Sequence, residues 1–147
     1  MGQGETRAYT VRALSTETFG RVQCSARNHH FIIDGPVQNG CPGEEITPAE
    51  AFLAGVGACG VELLQVIGKE QQIPVREITV EITGTIDRAN PVRPDVTVFN
   101  AVQLQINLRG VTASQANDLV ERFKRRCPLY GSVAVATPDV RVDVVVA

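Results

Sequence analysis

Apolar and polar residues alternate through the first third of the chain. Tyr9, Val11 and Ala13 form one such run, and Val22, Cys24 and Ala26 form another, with a turn near Phe19-Gly20 between them. A period of two marks a strand with one buried face. His30-Phe31-Ile32-Ile33-Asp34 predicts a third short strand, stopped by Gly35-Pro36. Residues 35–46 are rich in glycine and proline and predict a loop.

The pattern then changes to that of a helix over about residues 48–71. Thr47 is a suitable N-cap, Pro48 fits the first turn, and Glu50 completes a T-x-x-E capping box. Phe52, Leu53, Val56, Val61, Leu64 and Ile67 make this helix apolar on nearly every side, which predicts burial. Gly55, Gly57 and Gly60 each cost about 1 kcal/mol relative to alanine in a helix. Close approach of another helix or backbone across a small-residue face is the expected compensation.

Arg76 to Asp87 predicts a strand with one wet face, Ile78, Val80, Ile82 and Ile86 alternating with Glu77, Thr79, Glu81 and Thr85. After a turn containing Asn90-Pro91 and Arg93-Pro94, a strand is predicted over 96–109. Its apolar phase shifts between Val98 and Val102, which suggests a bulge. Thr112 and Gln115 form a second capping box, and Ala116, Leu119, Val120 and Phe123 give an amphipathic helix. Cys127-Pro128 opens a further short helix, and Val140, Val142, Val144 and Val146 close the chain as a strand. The order ββ(β)αββααβ reads as α+β, with mostly antiparallel sheet around a long buried central helix.

The chain has 147 residues and a formal net charge of −2. This predicts a single domain over 1–147 and gives no electrostatic reason to bind nucleic acid. No apolar run approaches the ~20 residues of a bilayer span. The segment Met1-Gly2-Gln3-Gly4-Glu5-Thr6-Arg7 lacks the apolar stretch of a secretory signal, and Met1-Gly2 is a poor acylation pattern. A cytoplasmic location without membrane contact is expected. Disulfides in that compartment are usually transient and catalytic.

Two cysteines stand out against this background. Cys59 lies deep in the apolar helix, and Cys127 follows Arg122, Lys124, Arg125 and Arg126 and precedes Pro128. Two distant thiols serve a structural disulfide, a shared metal or thiol redox catalysis. A free thiol near pKa 8.5 is only about 3% ionised at pH 7. Cys59 is too far into its helix to draw on the dipole, and an apolar setting raises its pKa, so activation there requires a cation brought in by tertiary structure. Cys127 has basic neighbours and a helix start in its own sequence, which favours exchange.

The segment Thr47-Pro-Ala-Glu-Ala-Phe-Leu-Ala-Gly-Val-Gly-Ala-Cys59, a distant Cys127-Pro128 and the stretch Phe31-Ile-Ile-Asp34-Gly-Pro before a Gly-rich loop resemble the OsmC/Ohr family of organic hydroperoxide reductases. The resemblance runs from about Tyr9 to Val146. It implies an intertwined homodimer with two interfacial active sites and two central helices packed together, which would account for the glycines. It implies a thiol peroxidase acting on small organic hydroperoxides, an antioxidant role in stress response. Cys59 would attack the peroxide, Cys127 would resolve the sulfenic acid to a disulfide, and Arg21 would activate the first thiolate. No bound cofactor is implied; the reductant is an external dithiol such as dihydrolipoamide. The chain departs from the best-studied branches in one place: the residue after the helix-start proline is Ala49, where they carry a glutamate that pairs with the arginine. Glu50 follows one residue later. Glu62, three residues after Cys59 on the same helix face, is the candidate substitute; its carboxylate opposes thiolate formation unless a cation neutralises it.

Other features read more plainly. Gly55-Val-Gly57-Ala-Cys-Gly60 matches G-x-G-x-x-G, but a helix starts before it where a dinucleotide site needs a strand. His29 and His30 point to opposite faces of a strand, and no zinc-type spacing is present. Cys24 reads as core and Cys41 as an exposed loop thiol without a role. The basic run reads as a solvated helix face. The alternative to a peroxidase is a redox-sensing or small-ligand-binding protein of the same fold with weak or no turnover; a purely structural disulfide is the third class.

Overall fold

The computed structural model describes residues 4–147; the Met1-Gly2 pattern lies outside them. The elements are β1 (Arg12–Ser15), β2 (Arg21–Ala26), β3 (His29–Asp34), α1 (Pro48–Glu70), β4 (Glu77–Thr85), β5 (Ala101–Arg109), α2 (Ala113–Arg126), α3 (Pro128–Ala134) and β6 (Asp139–Val146). This is the predicted α+β order. Two compact units are present, one ending at Ala51 and one spanning Phe52–Ala147.

The first unit holds the antiparallel sheet β1-β2-β3 and the loop after it. β2 and β3 form a hairpin turned at Arg27, whose φ of 55° lies in the left-handed region. The turn sets a register in which Arg21 faces Asp34. β1 starts later than the alternation predicts. Tyr9 and Val11 lie outside it and are exposed, as is all of β1, so this period of two has no core to report.

The second unit holds the sheet β4-β5-β6. β4 and β5 are antiparallel in one unbroken register, from Glu77 opposite Arg109 to Thr85 opposite Ala101. There is no bulge: β5 begins at Ala101, and the phase shift marks the end of an irregular stretch over 96–100. β6 pairs parallel to β5, a departure from the predicted hairpins. A parallel pair needs a crossover connection, and α2 and α3 supply it.

The core lies on one face of this sheet. Val102, Leu104, Ile106 and Leu108 of β5 pack with Val56, Leu64 and Ile67 of α1 and with Ala116, Leu119, Val120 and Phe123 of α2. Each fully buried side chain of this size contributes about 1.5–3 kcal/mol through removal from water. The Thr112–Gln115 capping box forms at the start of α2.

α1 departs from expectation in two ways. At 23 residues it is long and apolar enough, by length and composition, to cross a membrane; the expectation of no such run overlooked it because glycines interrupt the apolar residues. The helix is a core element: Val56, Gly57, Gly60, Leu64, Ile67 and Gly68 form its buried face. It is not buried all round, and Phe52 is 52% exposed. The glycines approach other helices, as expected, and also the sheet: Gly55 faces α3, Gly57 faces β4, and Gly60 faces both β4 and α2. A Cβ on Gly55 would stand 3.5 Å from Leu129, one on Gly57 3.5 Å from Ile82, and one on Gly60 3.5 Å from Val80. These are ordinary contacts with side chains of the same chain.

Gly84 is different. A Cβ there would stand 2.7 Å from the Phe99 ring, which covers the strand at this point and stacks on Phe52 at 6.0 Å. The two glycines therefore respond oppositely to alanine. Gly57→Ala is expected to raise stability by about 0.5–1 kcal/mol through helix propensity. Gly84→Ala is expected to lower it by about 1–3 kcal/mol through overpacking. Urea unfolding of the two variants checks both signs.

Candidate functional site

Cys59 sits near the middle of α1, partly buried and packed against the core of the second unit. Cys127 is buried at the junction of two helices, the C-cap of α2 and the N-cap of α3. Its N–H donates to the Phe123 carbonyl at 2.9 Å, finishing α2. Its Sγ accepts the Tyr130 N–H at 3.3 Å, starting α3, and Pro128 occupies the first turn. Proline has no N–H to leave unsatisfied there. With both of its ends tied, Cys127 has little freedom, and its Sγ stands 2.8 Å from the Sγ of Cys59 across 68 residues of sequence.

Phe123, one helical turn before Cys127, lies over Gly60, the residue after Cys59: its ring atoms stand 3.7 Å from where a Cβ on Gly60 would be. Tyr130 packs on the same ring at 5.3 Å between centroids. An aromatic residue packed over a glycine thus adjoins the two thiols.

The electrostatics oppose ionisation of Cys59. Its thiol is pushed up to about 12, first by burial, then by the hydrogen bond with Cys127 and that thiol's charge, and by the Glu62 carboxylate. In this state the protonated thiol predominates at pH 7.

The basic run before Cys127 is engaged residue by residue. Arg122 pairs with Asp118 at 3.0 Å, Lys124 with Glu121 at 2.9 Å, and Arg125 donates to the Glu121 carbonyl. Arg126 reaches out of its own helix to Glu70 at the end of α1, donating at 2.6 and 3.3 Å.

Arg21 and Glu50 belong to the first unit, and both are occupied there. Glu50 accepts from the N–H and hydroxyl of Thr47 at 3.0 and 2.6 Å, the capping box read from the sequence. Its carboxyl is held below the usual range, mainly by the Thr47 hydroxyl. Arg21 forms a two-pronged pair with Asp34, Nε to Oδ1 at 2.8 Å and Nη2 to Oδ2 at 2.9 Å, with Glu44 at 3.5 Å. Asp34 is fully buried and also accepts the N–H groups of Glu44 and Glu45 at 3.1 and 3.0 Å. The guanidinium is the largest cause holding the Asp34 carboxyl far below the normal carboxylate range, and Asp34 in turn holds Arg21 above its own.

Asp34 was not singled out by sequence reasoning. A hairpin centred on Arg27-Asn28 places position 21 opposite 34, so the turn was the available signal. Cys41 is also better placed than its loop suggests. It is half-buried, and a Cβ on Gly20 or Gly35 would stand 2.3 or 2.5 Å from its Sγ. It therefore fills a slot between the glycines that flank Arg21 and Asp34. Cys24 is core, as expected, and His30 bonds Ser25 at 2.9 Å. Among the described residues no cluster of three or more His, Cys, Asp or Glu is arranged to hold a metal.

The chain belongs to the OsmC-like protein family, whose model matches residues 41–143. It is 30% identical over 98 residues to the organic hydroperoxide resistance protein OhrA of Bacillus subtilis, a match covering 66% of this chain and 65% of that protein's length. The fold is that of an OsmC-like protein from Mycoplasma pneumoniae, at a TM-score of 0.84 and 15% identity over 97% of this chain and 99% of the other. It is also similar to an organic hydroperoxide resistance protein from Elizabethkingia anophelis, at a TM-score of 0.75 and 21% identity over 96% and 99% of the two chains.

Two outcomes follow from these charges. Glu62→Gln removes one of the influences that raise the Cys59 thiol. Site-resolved alkylation of Cys59 at pH 8 is expected to quicken about two- to threefold; an unchanged rate counts against this electrostatic account. Asp34 has a depressed folded-state pKa, so its stabilisation is complete above the unfolded value of about 3.9 and is lost as pH falls through the folded value. Asp34→Asn should therefore unfold more easily than the parent at pH 7, and the gap should narrow below about pH 4. A gap constant from pH 7 to pH 2 would contradict this.

Proposed function

We propose that the protein is a thiol-dependent peroxidase acting on small organic hydroperoxides. The observation that carries this reading is the Cys59–Cys127 pair, with Sγ atoms 2.8 Å apart and the second thiol buried and held at both ends. The similarity to an organic hydroperoxide resistance protein of Bacillus subtilis supports the substrate class. In the first step the Cys59 thiolate attacks the distal peroxide oxygen, the O–O bond breaks, and the alkoxide takes a proton and leaves as alcohol. Cys59 is then a sulfenic acid. In the second step Cys127 attacks the Cys59 sulfur, the S–O bond breaks, and water and the Cys59–Cys127 disulfide result. An external dithiol returns both thiols by exchange, and no bound cofactor takes part.

The first step needs a thiolate, and the surroundings of Cys59 within its own unit raise the thiol. Arg21 is the proposed activating cation, although Asp34 and Glu44 already share it. We further propose that the protein works as a cytoplasmic homodimer. The exposed Phe19, Phe31 and Val37 supply apolar surface suited to a partner.

The high Cys59 pKa favours a second reading, a redox sensor or small-ligand binder in which the same disulfide forms slowly and is not recycled. Turnover separates the two. With cumene hydroperoxide and dihydrolipoamide, the peroxidase reading expects sustained peroxide loss. It also expects none with Cys59→Ser, and a single turnover ending at the sulfenic acid with Cys127→Ser. Parent protein that oxidises once and stalls with dithiol present supports the sensor. Peroxide loss that persists undiminished in Cys59→Ser would sink both.

A further inference from the structure

Beyond apolar packing, two side-chain pairs within hydrogen-bond distance join α1 to the α2–α3 segment among the described residues. One is the thiol pair. The other is the pair between Arg126 and Glu70. Arg126 is the residue immediately before Cys127, and Glu70 is the last residue of the helix that carries Cys59.

The placement of Glu70 is unfavourable taken alone. A carboxylate at a helix C-terminus opposes the macrodipole, whereas Arg126 at the end of α2 agrees with it. Cations from α2 relieve the cost at Glu70: Arg126, by its hydrogen bond, is the largest cause holding the Glu70 carboxyl below its ordinary range, and the charge of Arg122 adds to it. The other basic residues of the run bond within α2. Only Arg126 crosses between helices, and its two-pronged geometry fixes direction as well as distance.

The geometry points to Arg126 and Glu70 as a positioning pair that holds Cys127 against Cys59 for disulfide closure. The inference rests on the peroxidase reading for its role in turnover, but not for its effect on closure itself. The pair touches neither peroxide nor sulfur. It acts on the second step by raising the fraction of time the two thiols are in reach, a proximity effect. When closure is slow, a second peroxide competes for the sulfenic acid: the sulfur takes the distal oxygen, alcohol leaves, and the product is sulfinic acid, which an external dithiol does not reverse. The pair thus decides between recycling and inactivation.

The variants are Glu70→Gln, Arg126→Gln and the charge swap Glu70→Arg with Arg126→Glu. Both partners are partly exposed, with side-chain exposures of 48% and 31% for Glu70 and Arg126, so a modest effect is expected: about a two- to fivefold slower closure in each single variant. The rate of the first thiol oxidation is expected to stay unchanged. The sulfinic product, measured by mass spectrometry at high cumene hydroperoxide, should rise by a similar factor. The swap should recover closure at least in part, and raising salt should slow closure in the parent but not in Glu70→Gln. Singles that close as fast as the parent overturn the proposal, as does a swap that closes no faster than the singles.

Closure driven by diamide, which takes two thiols to a disulfide and is itself reduced to the hydrazine, needs no peroxidase activity. Parent protein inert to peroxide, with diamide closure still slowed in the singles, would refute the peroxidase reading and leave the positioning pair standing.

Discussion

The contact of Phe123 with Gly60 is the constraint from which the site follows. Phe123 is buried in the core of the second unit, and its ring lies over Gly60 of α1, where no side chain intervenes. Gly60 adjoins Cys59, and Cys127 is bonded through its N–H to the Phe123 carbonyl. The ring over the glycine is thus the part of the α1–α2 packing that lies beside the two thiols. A methyl group at Gly60 would stand in ordinary contact with Val80 of β4 at 3.5 Å and with the ring at 3.7 Å, so sheet and both helices meet at this one position. Interiors at this density transmit small changes of volume, and the sulfur separation should be sensitive to this contact.

Two long-range ion pairs stand out among the charges of the described residues by their two-pronged geometry. Arg122 with Asp118 and Lys124 with Glu121 lie within α2, where such pairs stabilise a helix by tenths of a kcal/mol and carry little long-range information. Arg21 with Asp34 and Arg126 with Glu70 are long-range and two-pronged. The first closes the end of a hairpin and organises the loop after it through the Glu44 and Glu45 amides. The second joins two helices beside the thiols. Each uses arginine, whose planar fork fixes orientation where lysine would supply only charge.

Cys59 shows a conflict between stability and chemistry. The apolar packing that brings its partner within reach also raises its pKa, because burial disfavours the charged form.

Much of this was legible in the sequence, since local rules decide it. The order of elements follows from periods of two and 3.6, and both capping boxes are spelled out by side chains three residues apart. Cys127-Pro128 reads as a helix start because proline fits there. The core role of Cys24 follows from its alternation. Tertiary structure decided what depends on partners distant in sequence. No local rule tells that β6 runs parallel to β5, that Gly57 and Gly60 face β4, or that Arg126 reaches Glu70 while its neighbours stay within α2. Nor does one state that Cys41 fills the slot left by Gly20 and Gly35. The sequence by itself marked Cys59 and Cys127 as the two thiols to compare. Only the fold brought them within 2.8 Å, because the distance between residues 68 apart is set by the packing of the elements that carry them.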